Sequence, residues 1–126
     1  MDEQKLTDRE LLELAAKAAG YGVEWREWVT SRVAEFGTIK YTKQSGFWLD
    51  GKQWNPANDD GDALRLAVKL KLAIRPLDKC VFVESDPETL LGQSQFSELE
   101  MYGSDPDAAT RRAIVRAAAE IGKAMP

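Results

Sequence analysis

Apolar positions in this chain change period several times, and each change marks a predicted element. Leu11, Leu12, Leu14, Ala15, Ala16, Ala18 and Ala19 recur at helical spacing, with Glu10, Glu13 and Lys17 as the polar stripe. Thr7-Asp8-Arg9-Glu10 forms a capping box, because Thr7 can accept from the residue-10 N–H while Glu10 reaches back. Leu6 and Leu11 stand at the staple positions, and Gly20 at the C′ position. A helix over 7–19 follows, its alanine-rich side suited to close approach by a sheet or another helix.

The pattern from 21 to 53 carries two readings. Val23-Glu24-Trp25 can open a strand, while Trp25, Trp28, Val29, Val33 and Phe36 also fit helical spacing with Gly37 as a stop. The β-branched Val29, Thr30 and Val33 weaken the helix. Residues 24–36 are therefore open between helix and strand. Thr38 to Thr42 alternates as a strand, Gln44-Ser45-Gly46 reads as a turn, and Phe47-Trp48-Leu49 as the return strand. Asp50-Gly51 is a strong turn dipeptide, and Lys52-Gln53-Trp54 a second short arm.

Asn58, Asp59 and Asp60 compete to cap a second helix, with Asp62 in its first turn, where carboxylates complement the helix dipole. Ala63, Leu64, Leu66, Ala67, Val68, Leu70 and Leu72 cover much of its circumference, so it is expected to be largely buried between layers. Arg65 and Lys69 form its polar stripe. Extended structure resumes near Leu72, and Leu77-Asp78-Lys79 turns the chain. Cys80 to Glu84 reads as a central strand, 86–95 as a polar loop, and Gln95 to Tyr102 as an edge strand with Leu99 and Met101 facing in. Asp105-Pro106 starts the last helix, with Ile114, Ala117, Ala118 and Ile121 as its apolar face. Arg112, Arg116, Glu120 and Lys123 form a solvated stripe flanked by Arg111, with an expected Arg116–Glu120 pair. The predicted fold is α+β: three main helices and an antiparallel sheet of about four strands.

Composition narrows function by exclusion. The 126 residues suggest one domain that buries about two-thirds of its unfolded surface. There is no histidine, which removes Ser-His-Asp and Cys-His nucleophile systems, His-Glu-x-x-His proteases and most transition-metal sites. The net charge of -4 argues against a general nucleic-acid binder. Cys80 is the only cysteine and sits in an apolar run, so it reads as a small buried hydrophobe. Met-Asp-Glu-Gln-Lys lacks the apolar core of a signal peptide, and no apolar run approaches the ~20 residues of a membrane span. A cytoplasmic protein is expected.

Two blocks carry a resemblance. Trp54-Asn55-Pro56 followed by Asp59 to Val68 is one, and Ala108 to Gly122 the other; the helix Leu11 to Gly20 fits the same pattern. Together they resemble the phage ABA-sandwich domain family, small proteins of tailed bacteriophages and prophages. The resemblance implies an α/β/α sandwich spanning 1–126 with an aromatic-rich insertion at about 23–50. It implies a phage protein in the host bacterial cytoplasm and favours an anti-defence role, without bringing an activity. It brings no catalytic residue.

Candidate sites follow. Trp25, Trp28, Phe36, Tyr41, Phe47 and Trp48 are more large rings than one small core face needs. Exposed rings of this kind are favoured anchors at protein interfaces, and the alternative is a second small core. Trp25, Trp28, Phe36, Tyr41 and Trp48 are the partner-binding candidates. Trp54, Asn55, Arg65 and Arg111 could instead form a nucleotide site, the indole stacking on a base and an arginine meeting phosphate. The competing account places Trp54 in the core, Asn55 on turn backbone and Arg65 on Asp62. Asp59-Asp60-Gly61-Asp62 lacks Ca²⁺-loop spacing and is explained by capping. Arg111, Arg112 and Arg116 could touch nucleic acid or form a solvated helix face. Glu24, Glu27, Asp50, Asp86 and Glu88 offer carboxylates, but no spacing pairs them for hydrolysis. No metal or cofactor is expected. The reading is a non-enzymatic inhibitor of a host protein, with a nucleotide-sequestering protein or a structural or regulatory phage protein, including a homo-oligomer through its alanine faces, as alternatives.

Overall fold

The computed structural model describes residues 6–86 and 97–126. Helix α1 (Asp8–Ala19) has the expected capping box: the Thr7 N–H donates to the Glu10 carboxylate at 3.1 Å, and the Glu10 N–H to the Thr7 hydroxyl at 3.2 Å. The Thr7 backbone bond draws the Glu10 carboxyl below its ordinary pKa. Gly20 ends the helix at φ 73°, the left-handed conformation open to glycine.

The ambiguous segment is a strand. β1 (Glu24–Val33) pairs antiparallel with β2 (Ile39–Leu49), from Glu24 opposite Trp48 to Val33 opposite Ile39. Trp25 and Trp28 share helical spacing, yet on a strand they fall on opposite faces. The expected turn at Gln44-Ser45-Gly46 does not form, because β2 runs through it. The Trp28 ring lies over Gly46, 3.5 Å from where a Cβ would stand. The chain reverses instead through a 3-10 turn, Glu35–Gly37. Asp50-Gly51 does turn the chain, at φ 52° and 81°, and β3 (Lys52–Trp54) then pairs with Leu49 to Phe47.

Asp59 takes the N-cap of α2 (Asp60–Leu70), its carboxylate accepting from the Asp62 N–H at 2.8 Å. Only Ala63, Leu66 and Ala67 are buried there, and Leu64 and Val68 are exposed. The helix is thus less buried than its composition suggested, because α1 and α3 pack against only part of its circumference. β4 (Ala73–Pro76), β5 (Cys80–Glu84) and β6 (Ser97–Met101) form a second antiparallel sheet with β5 central, as expected. Cys80 is half-buried rather than core. The polar loop expected over 86–95, and the residues before Ser97 of the expected edge strand, lie mostly outside the described residues.

β6 faces the opposite way to expectation. Glu98 and Glu100 share the inner face with buried Val81 and Val83, while Leu99 is 51% and Met101 61% exposed. The reason is on α3 (Pro106–Ala124): Arg112 and Arg116 pair with Glu100 at 3.1 and 2.6 Å, giving the inward carboxylate two partners. Arg116 therefore serves Glu100 rather than Glu120.

Asp105 caps α3 through the Ala108 N–H, with Pro106 in the first turn. α3 is the centre of the body, with Ala113, Ile114, Ala117, Ala118 and Ile121 all buried against α1, α2 and the β4–β6 sheet. Its closest approach is at Gly122, where a Cβ would overlap the Leu14 carbonyl oxygen and stand 2.8 Å from its carbon. The class is α+β; the described residues hold three helices, and two three-stranded sheets replace the single sheet of about four strands expected between helices.

Two predictions follow from this packing. Gly122→Ala forces two backbones apart, so urea unfolding followed by circular dichroism should show a loss of about 2–3 kcal/mol; a loss below about 0.5 kcal/mol, the range of ordinary surface changes, would refute the contact. Burial, followed by the nearby Glu120 charge, raises the Glu98 pKa above the ordinary 4.5. The folded state then holds this proton more tightly than the unfolded one. The associated stability is complete below 4.5 and lost as pH rises through the folded value. Glu98→Gln should therefore gain stability relative to the wild type as pH climbs from 4 toward neutrality, checked by unfolding curves across that range; a difference independent of pH would contradict it.

Candidate functional site

From Arg26 to Ser45 every residue except Trp28 and Ala34 is exposed. β3 stops at the residue opposite Phe47, so among the described residues the remainder of β1 and β2 stands as a two-stranded arm without a third strand. At about 3.4 Å per residue its eight-residue reach is on the order of 25 Å.

The arm is anchored by aromatics at its base. Trp25 packs edge-on against buried Phe47 at 4.9 Å, and Arg9 of α1 lies 4.1 Å over the Trp25 ring. On the other face Trp28 meets Trp48 edge-on at 5.8 Å, with Arg26 over Trp48. Arg26 also pairs with Glu24 at 2.9 Å and holds that carboxyl below its ordinary pKa. The Trp48 Nε1–H is buried without an acceptor among the described residues. Three of the five candidate partner-binding rings, Trp25, Trp28 and Trp48, are thus half-buried and spent on holding the arm.

The other two are presented to solvent. Tyr41 is 70% exposed, and Phe36 is fully exposed at the tip with φ 66°. Directly opposed residues share a face, so Val33 and Ile39, then Ser31 and Tyr41, then Val29 and Lys43, lie along the face that carries Trp25 and Phe47 at the base. Val29, Val33 and Ile39 are all exposed, and with Tyr41 they extend the apolar stripe from the core to the tip. Sequence reading missed these three, although a β-branched run without a matching core face was the available signal. A non-glycine residue at positive φ costs on the order of 1 kcal/mol. The fully exposed Phe36 side chain gains no burial that would offset that cost.

The corner considered for a nucleotide is built differently. Trp54 is 4% exposed and packs edge-on against Tyr21 at 5.9 Å. The Asn55 side-chain oxygen accepts from the Ala57 N–H at 3.1 Å. Asp62, 13% exposed, accepts from the Asn55 N–H at 2.9 Å and pairs with Arg65 at 2.8 Å. Arg111 donates to the Ala57 carbonyl at 2.9 Å and pairs with Asp60 at 2.6 Å. With Asp59 capping α2, all three acids of the cluster are engaged, and among the described residues no group of three His, Cys, Asp or Glu is placed to hold a metal. Arg111, Arg112 and Arg116 all pair with acids of the chain itself.

Trp54 and Asn55 do line a hollow of about 360 Å³, past the end of β3 and beside β2, together with Trp25, Trp28 and Gln44. Arg9, its cation, is already paired with Glu13. The suggested carboxylates are dispersed: Glu24 and Glu27 lie on opposite faces of β1, Asp50 sits in a turn, and Glu88 lies outside the described residues. Glu27 pairs with Lys43 at 3.4 Å. No described helix is long and apolar enough to cross a membrane.

The class these features define is an α+β domain bearing an apolar-faced β-arm. No family model matches the chain, and neither a curated protein nor a solved structure matches it.

The corner yields one prediction. Asp62→Ala leaves the part-buried Asn55 N–H without its acceptor and should cost about 1–3 kcal/mol, whereas Arg65→Ala, removing an exposed pair, should cost under about 1 kcal/mol. Chemical denaturation of both variants checks the ordering, and equal losses would contradict it.

Proposed function

We propose that this chain is a non-enzymatic phage or prophage accessory protein that binds and inhibits a host protein in the bacterial cytoplasm, by docking the apolar face and tip of its β-arm. The observation that carries the docking mode is Phe36: a fully exposed aromatic ring on a left-handed backbone, at the end of an exposed stripe of Val33, Ile39 and Tyr41. Such a ring gains its burial energy only in a complex, where aromatic anchors dominate affinity. The phage origin and anti-defence role rest on the resemblance of Trp54 to Val68 and Ala108 to Gly122.

A nucleotide-sequestering reading draws on the hollow beside β2, whose size and three tryptophans suit a base. It ranks second because Arg65 and Arg111, the cations meant for phosphate, are paired with acids. A homo-oligomer through alanine faces loses its motive, since Ala15, Ala16, Ala113 and Ala117 are buried within one chain.

The test expresses the protein in bacteria carrying single antiviral defence systems and measures phage plating. The expected result is restored plating with one system, abolished by Phe36→Ser with Val33→Ser, while the double variant keeps wild-type thermal stability. Restored plating by the double variant would sink the arm reading. Calorimetric binding of a cyclic nucleotide, weakened by Trp28→Ala, would favour the hollow instead.

A further inference from the structure

The arm has an open edge, and its chemistry selects what can pair with it. The Ala34 N–H donates to the Thr38 carbonyl at 2.6 Å. Hydrogen-bonded pairs alternate along an antiparallel ladder, and the register from Val33–Ile39 to Glu24–Trp48 is unbroken. The N–H and C=O groups of Ile39, Tyr41, Lys43 and Ser45 therefore point away from β1. β3 satisfies the next position, Phe47, and then leaves the sheet after Trp54. Among the described residues no backbone group takes up the line where β3 ends.

At that break lies the hollow, with Ser45 and Gln44 on its β2 side and Trp28 and Trp54 among its walls. It can take one side chain of a strand continuing the course of β3. The occupant is chosen by charge. Residues 39–46 carry Lys40 and Lys43 and no acid; Lys43 is paired with Glu27 across the ribbon, whereas Lys40 and Arg32 opposite it have no ion pair within the described residues. A second copy paired antiparallel along this edge would bring two cationic edges together with no acid to meet Lys40, which disfavours it. An acidic strand meets complementary charge.

We propose that residues 39–46 of β2 receive an extended acidic segment of another protein as an added antiparallel strand, in line with β3, with its first side chain in the hollow. This rests on the arm-docking reading and specifies its mode. The recognition is β-strand addition: backbone bonds supply affinity, and alternate side chains supply selectivity. Guest residues beside Ile39 and Tyr41 are apolar, and those on the opposite face, beside Lys40, acidic.

The test uses synthetic decapeptides that alternate valine or tyrosine with glutamate, glutamine or lysine, added to the isotope-labelled full chain, with amide hydrogen exchange read by NMR. The expected result is exchange slowed by roughly tenfold or more at Tyr41, Lys43 and Ser45 with the glutamate peptides only, tenfold being a modest net stabilisation. Tyr41→Pro should abolish the protection while leaving the β1 pairing intact, since that N–H points outward; Tyr41→Val should keep it. Binding without protection of these amides, protection equal for lysine and glutamate peptides, or no binding by any peptide overturns the proposal. Protection that grows with protein concentration alone means a second copy occupies the edge, and also overturns it. Loss of this result with the Phe36-dependent plating effect intact would sink strand addition alone; loss of the plating effect removes the reading beneath it.

Discussion

The contact between Gly122 and the Leu14 carbonyl sets the distance between α3 and α1, and most of the body is spaced from it. Two helix backbones touch there, which requires small residues on both sides. Ala15, Ala16 and Ala19 on α1 and Ala117 and Ala118 on α3 supply them, all buried. Alanine loses no side-chain rotamer freedom on burial, so this seam gains dispersion contacts at little entropic cost. It also leaves little volume for large rings. α3 can then be enclosed on several sides, by α1, by Leu66 of α2 and by Val81 and Val83 of β5.

The aromatics excluded from that seam gather where the first sheet meets α1. An isolated two-stranded ribbon is marginal in water, and this one is held only at its root, by Trp25, Phe47 and Trp54 on one face and Trp28 with Trp48 on the other. Stability and recognition are thereby separated along the strands. Rings near the root fix the direction of the arm. Residues beyond Val29 contribute little to the core and are free to serve a partner. This division explains why five rings in one segment do not form one surface.

Local signals were legible in the sequence. The Thr7–Glu10 box, the Asp105-Pro106 start and the Asp50-Gly51 turn each depend on a few adjacent residues, and each forms. Segment 24–36 was not legible, because both faces of the arm are exposed and no period marks an inside. Gly46 looked like a turn residue and instead accommodates Trp28. Alternation along β6 located a strand but not its inner face, which depended on Arg112 and Arg116 far along the chain. At the site, Phe36 and Tyr41 stood out as aromatics, whereas Val29, Val33 and Ile39 took meaning only once the ten-residue register placed them on one side.

An arm with open edges and an apolar face invites indiscriminate assembly, and the charge pattern is what restrains it. Lys40 and Lys43 stand on the β2 edge and Arg32 faces Lys40 across the ribbon, in a chain whose net charge is -4. Two arms aligned edge to edge would bring cationic edges together with no acid between them, while an arm approaching the acidic remainder of its own kind finds Asp59, Asp60 and Asp62 already engaged by capping and arginines. The same cations that discourage self-pairing lower the cost of ordering an acidic strand beside them. Restraint and selectivity are then one property of the proposed edge: the charge that opposes pairing with its own kind is the charge that favours a complementary guest.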